Sequence, residues 1–258
     1  MTQGTANLLL SALSINSRDR LLSHAVAMPI PLRTVLYEPN ETPRYTYFIT
    51  SGMASVVTTM RDGATAEVKL IGCEGVVGAL HLLGPAKVAT NAFMQIAGTG
   101  FRLPFHELQQ AYRSNGEVRE RILEYVQAQA VITDQIAGCN RLHDADARLA
   151  RWLLMCQDRT QSDVLMLTQE FLAMMLGSMR TTVTVLAGAL QEHGVIEYSR
   201  GKVKILDRAQ LETAACECYA IAKQIPAGLY THSLISEPPI NLSSHVSNAS
   251  AQIRSGTY

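Results

Sequence analysis

The sequence predicts an α+β protein in three parts: an N-terminal antiparallel β-roll, one long dimerisation helix and a C-terminal winged helix-turn-helix. Three observations carry this. Between Arg33 and Leu103, short runs rich in Val, Ile, Tyr and Thr alternate with turn sequences. From Glu117 to Cys139, breakers almost vanish under a heptad-like apolar stripe. From Thr168 to Leu206, two short amphipathic helices run into a basic hairpin.

Taken in order, Asn7 to Ala27 reads as two short helices, with Leu8, Leu9, Leu13, Leu21, Leu22 and Val26 at roughly helical spacing around a polar break. Six strands follow at Thr34–Tyr37, Tyr45–Thr50, Ala54–Met60, Ala66–Ile71, Asn91–Ile96 and Gly100–Leu103. The turn signals between them include Glu-Pro-Asn-Glu, Ser-Gly and Arg-Asp-Gly, and strands this short and close argue a small antiparallel barrel or roll over residues 7–116. On the helix of residues 117–140, Val118, Ile122, Tyr125, Gln129, Ile132, Ile136 and Cys139 recur at alternating spacings of four and three. That stripe suits a dimer seam; packing on the chain's own barrel is the competing reading.

Residues 141–219 form the third part. Thr168 can cap a helix whose Leu172 and Leu176 face inward, Ala173 is small where two helices cross, and Gly177 can supply a left-handed turn. Val183, Leu186, Ala187 and Leu190 then line the buried side of a second helix. Its other side carries Arg180, Thr181, Thr184, Val185 and Gly188. Such a face fits a major groove: Arg pairs with guanine, Thr meets phosphate or base, and Val touches a thymine methyl. The strand-like Val195–Tyr198 and Val203–Leu206 flank a turn, where Arg200, Lys202 and Lys204 would sit on phosphates. The candidate DNA-binding set is Thr168, Ser178, Arg180, Thr181, Thr182, Thr184, Val185, Arg200, Lys202 and Lys204. Residues 220–258 hold one acidic residue, two basic residues, three prolines and seven serines, which predicts a flexible tail.

With 22 Lys plus Arg against 22 Asp plus Glu, no global field draws the 258-residue chain to nucleic acid, so a local patch must do so. No stretch approaches the roughly 18 apolar residues of a membrane span, and Met1–Leu10 lacks the features of a signal peptide, so a cytoplasmic chain without membrane contact is expected. Five scattered cysteines fit reduced thiols, with no disulfide.

Residues 7–219 resemble the Crp/Fnr family of bacterial transcription regulators. The strings Val35-Leu-Tyr-Glu-Pro, Tyr47-Phe-Ile-Thr-Ser-Gly, Gly72-Cys-Glu-Gly-Val-Val-Gly, Cys139-Asn-Arg-Leu-His, Arg148-Leu-Ala-Arg-Trp-Leu-Leu, Leu167-Thr-Gln-Glu-Phe-Leu-Ala and Ala215-Cys-Glu-Cys-Tyr carry the resemblance. It implies a cyclic-nucleotide-binding-like β-roll and a homodimer on a two-fold symmetric operator in double-stranded DNA, with RNA polymerase as a further contact. The cyclic-AMP receptor branch holds the ribose with Gly-Glu-Leu and the phosphate with an Arg about ten residues on. Here Gly78-Ala79-Leu80 and Thr90-Asn91-Ala92 stand in those places, and Lys87 is the only nearby base. A cyclic phosphate without its guanidinium partner is costly to bury, so cyclic AMP is not expected to bind. The base-reading Arg, Glu and Arg of that branch fall on Arg180, Thr181 and Val185, so a different half-site is expected.

Other features read as structural. Cys216 and Cys218, two apart on a helix, would point in different directions. His81 sits on an apolar run and reads as packed in place, not as a haem ligand. Asp144 and Asp146, beside His143, read as helix caps, and Gly72 to Gly78 lacks the rest of a phosphate-binding loop. No nucleophile and base pair up, so no enzyme, metal or cofactor is expected. The alternative function is a ligand-sensing or protein-interaction module whose helical domain docks a protein.

Overall fold

The computed structural model describes residues 7–231. Two short helices, α1 (Leu8–Ser11) and α2 (Ile15–Leu22), open the chain. The fully buried Asn7 caps α1 and donates to the Ile49 and Gly75 carbonyls at 3.0 and 2.8 Å, which pins this segment to the sheet. Then come β1 (Val26–Ile30), β2 (Val35–Tyr37), β3 (Tyr45–Thr59), β4 (Thr65–Ile71), a single 3₁₀ turn (Ala79–Leu82) and β5 (Asn91–Pro104). The strands form an antiparallel sheet in the order β1-β5-β3-β4, with β2 also on β5.

Two differences from expectation have one cause. The predicted pairs Tyr45–Thr50 with Ala54–Met60, and Asn91–Ile96 with Gly100–Leu103, are each a single strand. Their glycines make bulges in a continuous ladder, not turns. At this crossing a Cβ on Gly98 would lie 1.9 Å from the Ser51 carbonyl oxygen, so the two backbones touch where only glycine fits. Strand β1 begins within what reads as helix, at Val26.

The helical half contains α3 (Phe105–Ser114), α4 (Gly116–Leu142), α5 (Ala145–Thr160), α6 (Gln169–Leu176) and α7 (Arg180–Glu192). A three-stranded sheet of β6 (Val164–Met166), β7 (Ile196–Ser199) and β8 (Lys202–Ile205) follows the order β6-β8-β7. The chain continues through α8 (Arg208–Ala214) and α9 (Cys218–Gly228). The expected flexible tail is corrected here. Cys218, Tyr219 and Ala222 are buried, and the Tyr230 hydroxyl donates to the Glu74 carbonyl at 2.8 Å, so the chain past 219 continues as a packed helix. The rest of that expected tail, 232–258, lies outside the described residues.

One apolar core spans the roll and the helical half. Met53, Val57 and Leu70 of the sheet share a buried cluster with Trp152 and Leu153 of α5 and with Leu172, Met175 and Leu176 of α6. Phe93 of β5 meets Phe171 of α6 edge-on at 5.8 Å. Polar contacts cross the same seam. Trp152 Nε1 and Ser55 Oγ donate to the Glu67 carboxylate at 2.7 and 2.6 Å, and the buried Arg159 pairs with the buried Glu74 at 2.9 Å. Burial pushes the Glu67 carboxyl up to about 7 against these donors.

Candidate nucleic-acid interface

The Thr168 hydroxyl accepts the Phe171 N–H at 3.2 Å and so starts α6, which buries Leu172, Met175 and Leu176. Gly177, at φ +57°, ends it in the left-handed region that a side chain disfavours. The chain leaves in a new direction, and the axes of α6 and α7 bend by 104°, within the range of a DNA-binding helix-turn-helix. Helix α7 buries Val183 and Ala187 against the core and half-buries Leu186 and Leu190.

The other side of α7 is open. Arg180, Thr181, Thr184 and Val185 are exposed, Val185 at 71%. An exposed valine beside two threonines gains nothing in free solution, but fits a groove wall. Arg180 does not hang free: it pairs with Glu170 at 3.0 Å and reaches Gln169 at 3.3 Å, both on α6. Thr184 Oγ1 donates to the Arg180 carbonyl at 3.0 Å and keeps its lone pairs for an incoming donor. Ser178 and Thr182 are only half-exposed, and the Ser178 hydroxyl turns back to the Leu176 carbonyl at 3.4 Å.

The wing follows. Arg200 and Gly201 both take positive φ, at +49° and +76°, as a two-residue hairpin turn requires. Lys202 and Lys204 alternate with the buried Val203 and Ile205, so both ammonium groups leave from the outer face of β8. A shallow depression lined by Thr168, Gln169, Glu170, Arg180, Tyr198 and Arg200 brings the start of α6, the start of α7 and the wing together. The three-residue strand β6, absent from the sequence reading, pairs with β8 and stiffens the wing from its other edge.

Inside the β-roll lies a cavity of about 730 Å³. Its walls include Tyr37, Lys69, Ala79, His81, Lys87, Thr90, and Tyr125 and Gln129 of α4, with no arginine among the lining residues. Burial lowers the Lys69 ammonium below its usual range. Thr90 is within 3.2 Å of the Tyr37 hydroxyl, and His81 lies edge-on to Tyr37 and Phe105 at 4.9 and 6.0 Å, packed as the sequence suggested.

The stripe on α4 requires a correction. Val118, Ile122 and Tyr125 pack with α1, Phe48 and Phe105; Gln129 and Ile132 are buried; Ile136 packs on the shared core; Cys139 lies against α9. All but the half-exposed Ile136 are buried against their own chain. The reason is physical: α3, strand β4, α1 and α9 lie along α4 and already cover the apolar stripe. The outward side exposes Leu123, Gln127, Ala130, Asp134, Ala137 and Arg141, at the same alternating four-three spacing.

The sequence reading also missed a cluster. Cys139, His143, Cys216 and Cys218 converge so that one ligand-type atom of each lies within 4.8 Å of every other. Cys216 precedes α9 and Cys218 begins it, so the two do not diverge as they would on one helix. Asp144 holds the N-cap position of α5 without a side-chain cap bond, and its neighbour His143 turns to the thiols. The Cys-x₃-His spacing, one helical turn, was the available signal.

Comparison with known proteins agrees with this architecture. The family model of the Crp-like helix-turn-helix domain matches residues 147–214, and that of the cyclic nucleotide-binding domain matches residues 29–115. The Global nitrogen regulator of Nostoc sp. (strain PCC 7120 / SAG 25.82 / UTEX 2576) is 25% identical over 181 residues, covering 66% of this chain and 80% of that protein. A transcriptional regulator of the crp/fnr family from Eubacterium rectale ATCC 33656 shares the fold at a TM-score of 0.65 and 17% identity, covering 80% of this chain and 96% of the other. A transcriptional regulator of the CRP family from Thermus thermophilus does so at 0.61 and 22%, covering 73% and 96%.

Proposed function

Since this chain belongs to the Crp/Fnr family of transcription regulators, we propose that it acts as a homodimer on a two-fold symmetric DNA operator and answers to an effector other than cyclic AMP. The observation that carries the reading is the outer face of α7. It presents Arg180, Thr181, Thr184 and Val185 to solvent beside Arg200 and Lys202 of the wing. Arg180 reads a guanine after exchanging Glu170 for the base edge, and the wing cations hold phosphates.

The two copies meet through the outward side of α4, where Ala130 and Ala137 let two helices approach and Leu123 supplies apolar surface. Two parallel copies of α4 would set two α7 helices side by side, as half-sites one helical turn apart require. RNA polymerase remains the further partner of the bound dimer. The β-roll cavity, with lysines and no arginine, supplies point charges and not the planar fork that clasps a cyclic phosphate.

The test is a gel shift on DNA from the chain's own promoter region over a salt series, with calorimetry on the same protein. The reading expects retarded DNA, affinity falling steeply with salt, and no saturable heat from cyclic AMP or cyclic GMP. Absence of any retarded complex at low salt would leave the helical domain as a protein-docking module. Micromolar cyclic AMP binding would overturn the effector reading alone.

A further inference from the structure

We propose that Cys139, His143, Cys216 and Cys218 form a binding site for a single divalent metal ion, zinc by its donor set, that clamps the end of α4 to the start of α9. Cys139 Sγ and Cys216 Sγ lie 3.5 Å apart, as do Cys218 Sγ and His143 Nδ1. In a tetrahedron with metal–sulfur bonds of about 2.3 Å, ligand atoms stand roughly 3.8 Å from one another. The observed separations, from 3.5 Å to no more than 4.8 Å, bracket that value. They are too long for a disulfide, whose sulfurs approach to about 2.0 Å. Three sulfurs and one imidazole are a closed structural donor set for zinc, with no open position.

The surroundings match a metal centre better than a patch of apolar core. His143 presents Nδ1 to the sulfurs while its Nε2 lies 3.2 Å from a Glu217 carboxylate oxygen. A carboxylate behind the far nitrogen is the usual device that fixes the tautomer and aim of a ligating histidine. Gln135 Nε2 donates to Cys218 Sγ at 3.1 Å, a bond that strengthens when the sulfur carries charge. Arg148 and Arg151 lie within electrostatic reach of Cys139, and their buried Nε atoms have no hydrogen-bond partner among the described residues. Binding converts three thiols to thiolates with release of three protons. The loaded centre then carries one net negative charge, which these guanidinium groups face.

The test uses the untagged full chain, purified under reducing conditions and analysed for metals. About one zinc per chain is expected. Cobalt exchanged into the site should give the visible bands of a tetrahedral thiolate complex. Cys139→Ser and Cys218→Ser should hold less than about a tenth of the wild-type metal. Glu217→Gln, which leaves all four ligands in place, should weaken retention against a chelator by about 10- to 100-fold. If the cysteine variants do not fold, reversible stripping and reloading of the wild-type chain serves instead, with thiol reactivity as the readout: three cysteines should become reactive on stripping and protected on reloading. Substoichiometric metal with no cobalt spectrum would overturn the proposal. Several irons per chain with acid-labile sulfide, or cysteine variants as metal-rich as wild type, would do the same.

Discussion

Helices α4 and α7 both carry an apolar stripe, yet the stripe means different things in each. On α7 the buried Val183 and Ala187 oppose a face whose Arg180, Thr181 and Thr184 are polar with Val185 as its one apolar member, so inside and outside are told apart largely by chemistry. On α4 the buried stripe opposes a face that is itself partly apolar, with Leu123 42% and Val131 48% exposed. The stronger stripe belongs to the chain's own core, and the weaker one is the face we propose for a second molecule. A stripe therefore identifies a buried face without naming what buries it.

Adjacent residues on α4 give the sharpest way to break this comparison. Ile122→Glu places an unpaired carboxylate in a closed core and should cost upwards of about 4 kcal/mol, lowering the denaturation midpoint whatever the protein concentration. Leu123→Glu combined with Ala130→Glu should give folded monomers by sedimentation whose midpoint no longer depends on protein concentration. If Ile122→Glu gives a well-folded monomer instead, the inward stripe is the seam after all.

The next effect lies where the roll meets helices α5 and α6. The Glu67 carboxyl is held at about 7, above its ordinary value near 4.5. A carboxyl raised by folding contributes its stability below the ordinary value, and that contribution is lost as pH rises to about 7. The change is on the order of 3 kcal/mol. Melting followed from pH 4.5 to 8 should show the decline, and Glu67→Gln should flatten it. A wild-type profile that rises over this window would contradict the environment described for Glu67.

On α7, Arg180→Ala should relax preference at one symmetric base pair by roughly 1–3 kcal/mol, read by competition between operator variants. Unchanged selectivity would shift the reading to Thr181, Thr184 and Val185 with DNA shape. The smallest effect belongs to the wing: Lys202→Ala should weaken all sequences alike and flatten the salt slope by about one unit.

Much of this molecule was legible before its structure. The turn glycine Gly177, the caps and the period-3.6 stripe of α7 are local signals, and local signals survive in sequence. What escaped depended on distant chain. The bulge at Gly52 read as a turn and that at Gly98 as a gap between two strands, because only the opposite strand reveals the close approach. The covering of α4 by α1, the sheet and α9 depends on segments far from it in sequence. Cys139 and Cys216 are 77 positions apart, so their meeting could not be read from either end. Helix α9 was hidden by averaging its apolar Cys218–Ala222 segment with the serine-rich stretch beyond it.

The shared core between sheet and helices has a consequence for heat capacity and cooperativity. Met53, Val57 and Leu70 are buried by Trp152, Leu172, Met175 and their neighbours, so neither half can open without wetting the other. The regions matched by two separate family models should melt in one calorimetric transition, with equal van't Hoff and calorimetric enthalpies. Residues 147–214 expressed alone would expose the apolar face that the roll now covers, and would be prone to associate. The unit that recurs among sequences is here smaller than the unit that folds.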